Sequence, residues 1–260
     1  IGNQDEFLKV KVETERMGIS LLPPDVNMSE ENCSIENGRI RLGLAVIKNV
    51  GQAAEAILSE RRARGAFTSL FDFCKRVDLH KVNKKCLESL IYAGALDSFQ
   101  GTRAQLFESM DKALEYGSTF QKDRMTGQVN LFDDLFSGAA SAGAAPVTPE
   151  PPLADVPPWP YTQVLQKEKE ILSFYVSGHP LDRFQDEIRG FATISLQPES
   201  LAAVKDGAAV TIGGMITSLK PHVQRDGKPM AFLELEDFDG SIEILAFGDA
   251  FEKFKALLVE

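Results

Sequence analysis

Residues 41–64 read RLGLAVIKNVGQAAEAILSERRAR. The apolar spacing predicts a short helix over 42–47 and a longer one over 52–64, with Lys48-Asn49-Val50-Gly51 between them. Glycine at 51 permits a tight reversal, because it alone reaches positive φ without steric cost. The second helix then starts with free backbone N–H groups and a partial positive charge, which together suit a phosphate. This is the logic of a helix-hairpin-helix, a motif that holds a nucleic-acid backbone without reading bases. The same residues also suit a plain αα-hairpin in which Gly51 only turns the chain.

A second stretch of the same kind favours the phosphate reading. Residues 83–117 read NKKCLESLIYAGALDSFQGTRAQLFESMDKALEYG. They predict a helix over 84–92, a turn at Ala93-Gly94-Ala95, and a helix over 102–116. Between the two hairpins, GAFTSLFDFCKRVDLHKV places Phe67, Leu70, Phe71 and Phe73 on a buried face. Lys75, Arg76, Lys81, Lys84 and Lys85 are left for solvent or phosphate. Seats are expected at the amides of Asn49, Val50 and Gly51, and again from Gly94 to Leu96. Such binding is sequence-independent and strongly salt-dependent.

Charge follows this division. The chain of 260 residues carries a formal net charge of −10, yet 41–85 holds ten basic residues against four acidic ones. An acidic chain with one basic module is the footprint of a protein that touches nucleic acid with one part, or of a solvated helical face. Three cysteines without CxxC spacing (Cys33, Cys74, Cys86) predict reduced thiols and no zinc site. No apolar run approaches the length of a membrane span. The start IGNQDEFLKV has neither initiator Met nor signal core, which predicts an internal piece of a longer protein.

Outside the basic module the pattern changes. A helix is expected over 6–16, ended by Gly18 and Pro23-Pro24, and a short strand over 39–42. Residues 137–160 are rich in Ala and Pro with no basic residue, and predict a linker. YTQVLQKEKEILSF predicts an amphipathic helix with Val164, Leu165, Ile171 and Leu172 on one face. From about Ala208 the period becomes that of strands: AVTIGGMITSLK, PMAFLELED and SIEILAF, with turns RDGK and DFDG. His179 in SGHPLD reads as a turn residue before Pro180. Asp133-Asp134 and Asp237/Asp239 could hold Mg²⁺ but read better as solvated carboxylates. No P-loop, GxSxG or HExxH occurs.

RLGLAVIKNVG, GAFTSLFDFCKRVD and NKKCLESLIYAGALDSF, in that order, resemble the C-terminal region of the bacterial replicative DNA polymerase III alpha-subunit family. RMGISLLPPDVN resembles the end of that family's fingers. EKEILSFYVSGHPLD resembles the segment before its OB domain, and IGGMI with GKPMAFLELEDFDGSIEILAF the OB domain itself. The fold expected is multidomain, α plus β: an all-α tandem helix-hairpin-helix module, a linker and a partial OB-fold barrel. The expected parts are the end of the fingers (1–40), the duplex-binding module (41–127), a clamp peptide (128–136), an Ala/Pro linker (137–160), a helical connector (161–205) and the partial OB-fold (206–260).

The resemblance also implies function. Gln128-Val129-Asn130-Leu131-Phe132 resembles the sliding-clamp-binding peptide of bacterial replication proteins. Gln128 would hydrogen-bond in one pocket, with Leu131 and Phe132 filling an apolar one. The implied parent is a DNA-directed DNA polymerase, a nucleotidyltransferase acting in chromosome replication in the bacterial cytoplasm. Its Mg²⁺-binding aspartates belong to a palm domain preceding this region, so this segment is expected to hold no catalytic residue and no metal or other cofactor. Implied partners are duplex DNA, the sliding clamp (beta subunit) and other replisome subunits, with no membrane. In the OB-like segment itself, Lys220, His222, Arg225, Lys228 and Phe232 are the residues that suit a single-stranded template, while its overall acidity suits weak binding or a protein-contact role and Phe232, Phe238 and Phe247 equally suit a core. The rival reading is an accessory or repair scaffold that uses the same modules without polymerase activity.

Overall fold

The computed structural model describes residues 13–14, 17–126, 149–224 and 227–258. The chain divides after Ser177 into two compact units. The helix expected over 6–16 lies almost wholly outside the described residues, as do the clamp peptide, Asp133-Asp134, Arg225 and residues 137–148.

The first unit opens with a small sheet. Strands β1 (Leu21–Leu22), β2 (Ser34–Glu36) and β3 (Arg39–Arg41) are ordered β1-β3-β2, with β1 parallel and β2 antiparallel to β3. Sequence reading anticipates only β3, because pairing Leu21 with Ile40 is a long-range choice that no local pattern encodes. The helix expected over 42–47 is a single 3-10 turn, Leu44–Val46.

Five helices then build the core: α1 (Ala53–Arg64), α2 (Leu70–Arg76), α3 (Lys84–Tyr92), α4 (Arg103–Glu108) and α5 (Met110–Thr126). Their starts follow from side-chain caps. Ser69 accepts the Asp72 amide, and Asn83 accepts the Cys86 amide. Thr102 and Gln105 form a reciprocal capping box at α4. The buried face holds Ile57, Leu58, Leu70, Phe73, Leu87, Leu90 and Ile91 in one cluster. Phe67 meets Phe73 edge-on at 4.9 Å between centroids, and Phe71 meets Tyr116 at 5.7 Å.

Helix α6 (Tyr161–Leu172) completes this unit and buries Leu165, Ile171 and Leu172, the stripe expected of it, with Val164 half-buried. The described half of the expected linker, 149–160, is instead a docked strap. Leu153 and Trp159 pack on the core, and the Ala154 amide donates to Ser109 Oγ at 2.8 Å. Trp159 lies 5.8 Å from Tyr92 and 5.6 Å from Phe107, which stack on each other, while Lys167 Nζ sits 3.8 Å from the Tyr92 ring centre. Composition misreads this stretch, because two large apolar side chains anchor a backbone that prolines already hold extended.

The second unit starts with a 3-10 turn (Asp182–Phe184) and helices α7 (Gln185–Phe191) and α8 (Pro198–Ala202). Strands β4 (Met215–Val223), β5 (Pro229–Glu236) and β6 (Ser241–Phe247) follow as an antiparallel meander, then α9 (Gly248–Phe254). The first strand begins at Met215, not near Ala208, and an irregularity between Ile216 and Ser218 bends it. The central strand buries Met230, Ala231, Leu233 and Leu235. The three strands are not closed into a barrel among the described residues.

Candidate nucleic-acid interface

The turn at 48–52 has an open face. Asn49 and Gly51 both take positive φ, at 68° and 24°, and Asn is one of the few non-glycine residues that does so at low cost. Lys48, Asn49, Gly51 and Gln52 are exposed, whereas Val50 is buried and anchors the turn in the core. The Val50 amide donates to Ile47 O at 3.1 Å, so it is engaged within the turn and not offered outward. The amides of Asn49, Gly51 and Gln52 have no backbone acceptor among the described residues. They precede α1, so unengaged donors, the helix dipole and the Lys48 ammonium share one end.

Two struts hold this turn from outside its own helices. Asn49 Nδ2 donates to Ser89 Oγ of α3 at 3.0 Å, and Ser89 is itself buried and bonded to Lys85 O. The Lys48 amide donates to Ile171 O, near the end of α6, at 3.2 Å.

The basic residues divide into two groups. Lys48, Lys81, Lys84, Lys85, Arg62 and Arg64 are exposed. Lys84 pairs with Asp111 at 2.6 Å, but both side chains are largely in water, so the pair is weak and exchangeable. Lys75 lies over the Phe120 ring at 4.1 Å. Arg76 does not fit the phosphate role expected of it. Its side chain is 10% exposed and binds Glu60, Asp72 and the carbonyls of Gly65 and Ala66. Arg41 and Arg61 are likewise engaged, with Glu36 and Pro23 O, and with Glu30 and the carbonyls of Val26 and Ser29. Sequence reading counts their charge but cannot see these carbonyls, which come from distant loops.

The second hairpin departs from expectation too. Gly94 and Leu96 are both buried. The Gly94 and Ala95 amides donate to Ile91 O and Leu90 O, closing α3 as a helix end is usually closed. A Cβ at Gly94, whose φ is +75°, would overlap the Arg103 guanidinium. Arg103 in turn binds Asp97, with Nε to Oδ1 at 2.8 Å and Nη2 to Oδ2 at 2.6 Å. Its Nη1 donates to Glu168 Oε1 of α6 at 2.8 Å. The turn's face is thus filled by the protein's own arginine and flanked by a carboxylate.

Glu168 is 0% exposed and is the residue sequence reading misses. The signal is its position three residues after Leu165 and three before Ile171, inside the apolar stripe. Besides Arg103 it accepts the Val176 and Ser177 amides, at 3.2 and 3.0 Å, and the Ser177 hydroxyl. Burial opposes the charge on Arg103, but its bonds to Asp97 and Glu168 outweigh that and raise its pKa.

In the second unit Lys220, His222 and Phe232 share one face of the sheet. Lys220 pairs directly with Phe232 in register, and the His222 ring is 5.9 Å from Phe232. Glu234 and Glu243 follow on that face, which makes it aromatic and basic at one end and acidic at the other. Lys228 is exposed beside the β4–β5 turn. Asp237 is not solvated as expected. It is buried and accepts the amides of Leu196, Asp239 and Gly240, fixing the β5–β6 turn. His179 Nδ1 accepts the Leu181 amide at 3.2 Å, as suits a turn residue.

Known proteins show the same two parts. A helix-hairpin-helix motif family matches residues 18–106, and an OB-fold nucleic acid binding domain family matches 210–260. DNA polymerase III subunit alpha of Borreliella burgdorferi is 35% identical over 100% of this chain. The Bacillus subtilis protein of that name is 34% identical over 100%, and the Escherichia coli one 31% over 99%. The chain spans 22% of the length of each of these relatives. No helix among the described residues is long and apolar enough to cross a membrane.

Proposed function

Because this chain is homologous along its length to one segment of DNA polymerase III alpha subunits, we propose that it is the duplex-holding and clamp-docking segment of a bacterial replicative DNA polymerase. The observation that carries the reading is the open turn at 48–52, which lies within the helix-hairpin-helix match. A backbone phosphate sits against the amides of Asn49 and Gly51, with Lys48 supplying charge and Lys84, Lys85 and Lys75 flanking the duplex. Such contacts grip any sequence, as a replicative enzyme requires.

Gln128, Leu131 and Phe132 dock on the sliding clamp. Tethering to a ring around the duplex raises the local concentration of enzyme and gives processivity. The OB segment contacts single-stranded template through Lys220, His222, Phe232 and Lys228, with the acidic end of its sheet limiting affinity. Template-directed nucleotidyl transfer, with its Mg²⁺, belongs to a palm region outside these residues, and the whole enzyme works in the bacterial cytoplasm with other replisome subunits.

The test is duplex binding by fluorescence anisotropy across a salt series, with and without purified sliding clamp. Lys48→Glu with Gly51→Val abolishes duplex binding and spares clamp binding. Leu131→Ala with Phe132→Ala does the reverse. Loss of both activities in either double variant, or unchanged binding in both, overturns the assignment.

A further inference from the structure

We propose that Arg103 and Glu168 are positioning residues for the phosphate seat at 48–52, and that the second hairpin is a joint within the protein and not a second seat. This inference rests on the duplex reading above.

A seat needs unengaged amides and room for an anion. At the second hairpin the Gly94 and Ala95 amides are engaged, Leu96 is buried, Asp97 brings negative charge and Arg103 fills the glycine's open side. What the turn holds is α6. Arg103 reaches the wholly buried Glu168, whose remaining acceptor capacity is met by Val176 and Ser177. One turn further along α6, Ile171 presents its carbonyl to the Lys48 amide. So α6 bridges the two hairpins, clamped by the shut one and bracing the open one.

The energetics favour positioning over bulk stability. A buried ion pair gains little net free energy, because desolvating both charges offsets their attraction. It does fix geometry, since few other arrangements satisfy every donor and acceptor. Arginine suits the task because its planar fork serves Asp97 and Glu168 at once, which a lysine cannot do.

The experiment measures duplex affinity against salt for the whole chain, at a temperature where circular dichroism shows each variant folded. Glu168→Gln and Arg103→Lys each weaken duplex binding by about tenfold, and each lowers the salt slope by about one, the signature of one lost phosphate contact. Combined with Gly51→Val, which removes the seat, Glu168→Gln has no further effect. A folded Glu168→Gln variant with unchanged affinity and slope overturns the proposal. Should that variant fail to fold, Ser177→Ala removes one partner of Glu168 from the surface side. It weakens binding severalfold, and an unchanged affinity in it overturns the proposal equally. Gly51→Val without effect sinks the duplex reading and this one with it. Gly51→Val effective beside a silent Glu168→Gln sinks this one alone.

Discussion

The two hairpins share a plan, a helix or helical turn, a glycine at positive φ and a second helix, yet one is open and one is shut. At the first, Gly51 has nothing within 4 Å of where a Cβ would stand. At the second, the same volume holds a guanidinium. The lesson is that the motif specifies a turn, and the neighbours decide what the turn is for. An exposed lysine and unengaged amides leave a site for an anion. A buried arginine with two carboxylates turns the same backbone into a fastening.

The widest separation between them is expected from valine scanning of the two glycines. Gly94→Val forces both a strained φ and expulsion of Arg103, which costs about 3 kcal/mol of stability. Gly51→Val meets open space and costs about 1 kcal/mol, from φ strain alone. Thermal denaturation of both variants checks this, and equal losses would erase the distinction between an open and a shut turn.

The thiols sharpen the contrast on a second axis. Cys86 lies on α3, the first helix of the shut hairpin, and Cys74 on α2, both buried, while Cys33 is exposed. Burial pushes both buried thiols up from their ordinary value near 9 to about 12. The folded state therefore keeps these protons where the unfolded chain has lost them. Their contribution is complete below pH 9 and is lost as pH rises from 9 to about 12. A chromogenic disulfide at pH 8 should titrate one thiol rapidly and two only on denaturation. Rapid reaction of all three would show that α3 opens readily, and the joint with it.

The smallest effect expected is at the cap of α4. Thr102→Ala removes one half of the capping box and should lower stability by about 1 kcal/mol. Arg103 is the first residue of that helix, so duplex affinity measured alongside shows whether fraying there loosens the joint.

Much of this was legible in the sequence. The 3.6 period of 53–64, 84–92 and 161–172, and the DFDG turn between β5 and β6, state their structures locally. The turn at 48–51 was also legible, because the positive-φ residue and the flanking helices are neighbours in the chain. What stayed hidden depends on distant partners. Arg76 looked free because its carbonyl acceptors at Gly65 and Ala66 are set by loop shape. Gly94 looked like Gly51 because its open side is filled by Arg103, which is held by Glu168, 65 residues further along the chain from that arginine. The strap at 149–160 was lost to composition, since proline content says how a chain is extended and not what it lies against.

That strap has a geometric consequence. Leu153 and Trp159 pack on the core of the first unit and the Ala154 amide is bonded to Ser109 Oγ, so α6 is held ahead of its first turn as well as along its length.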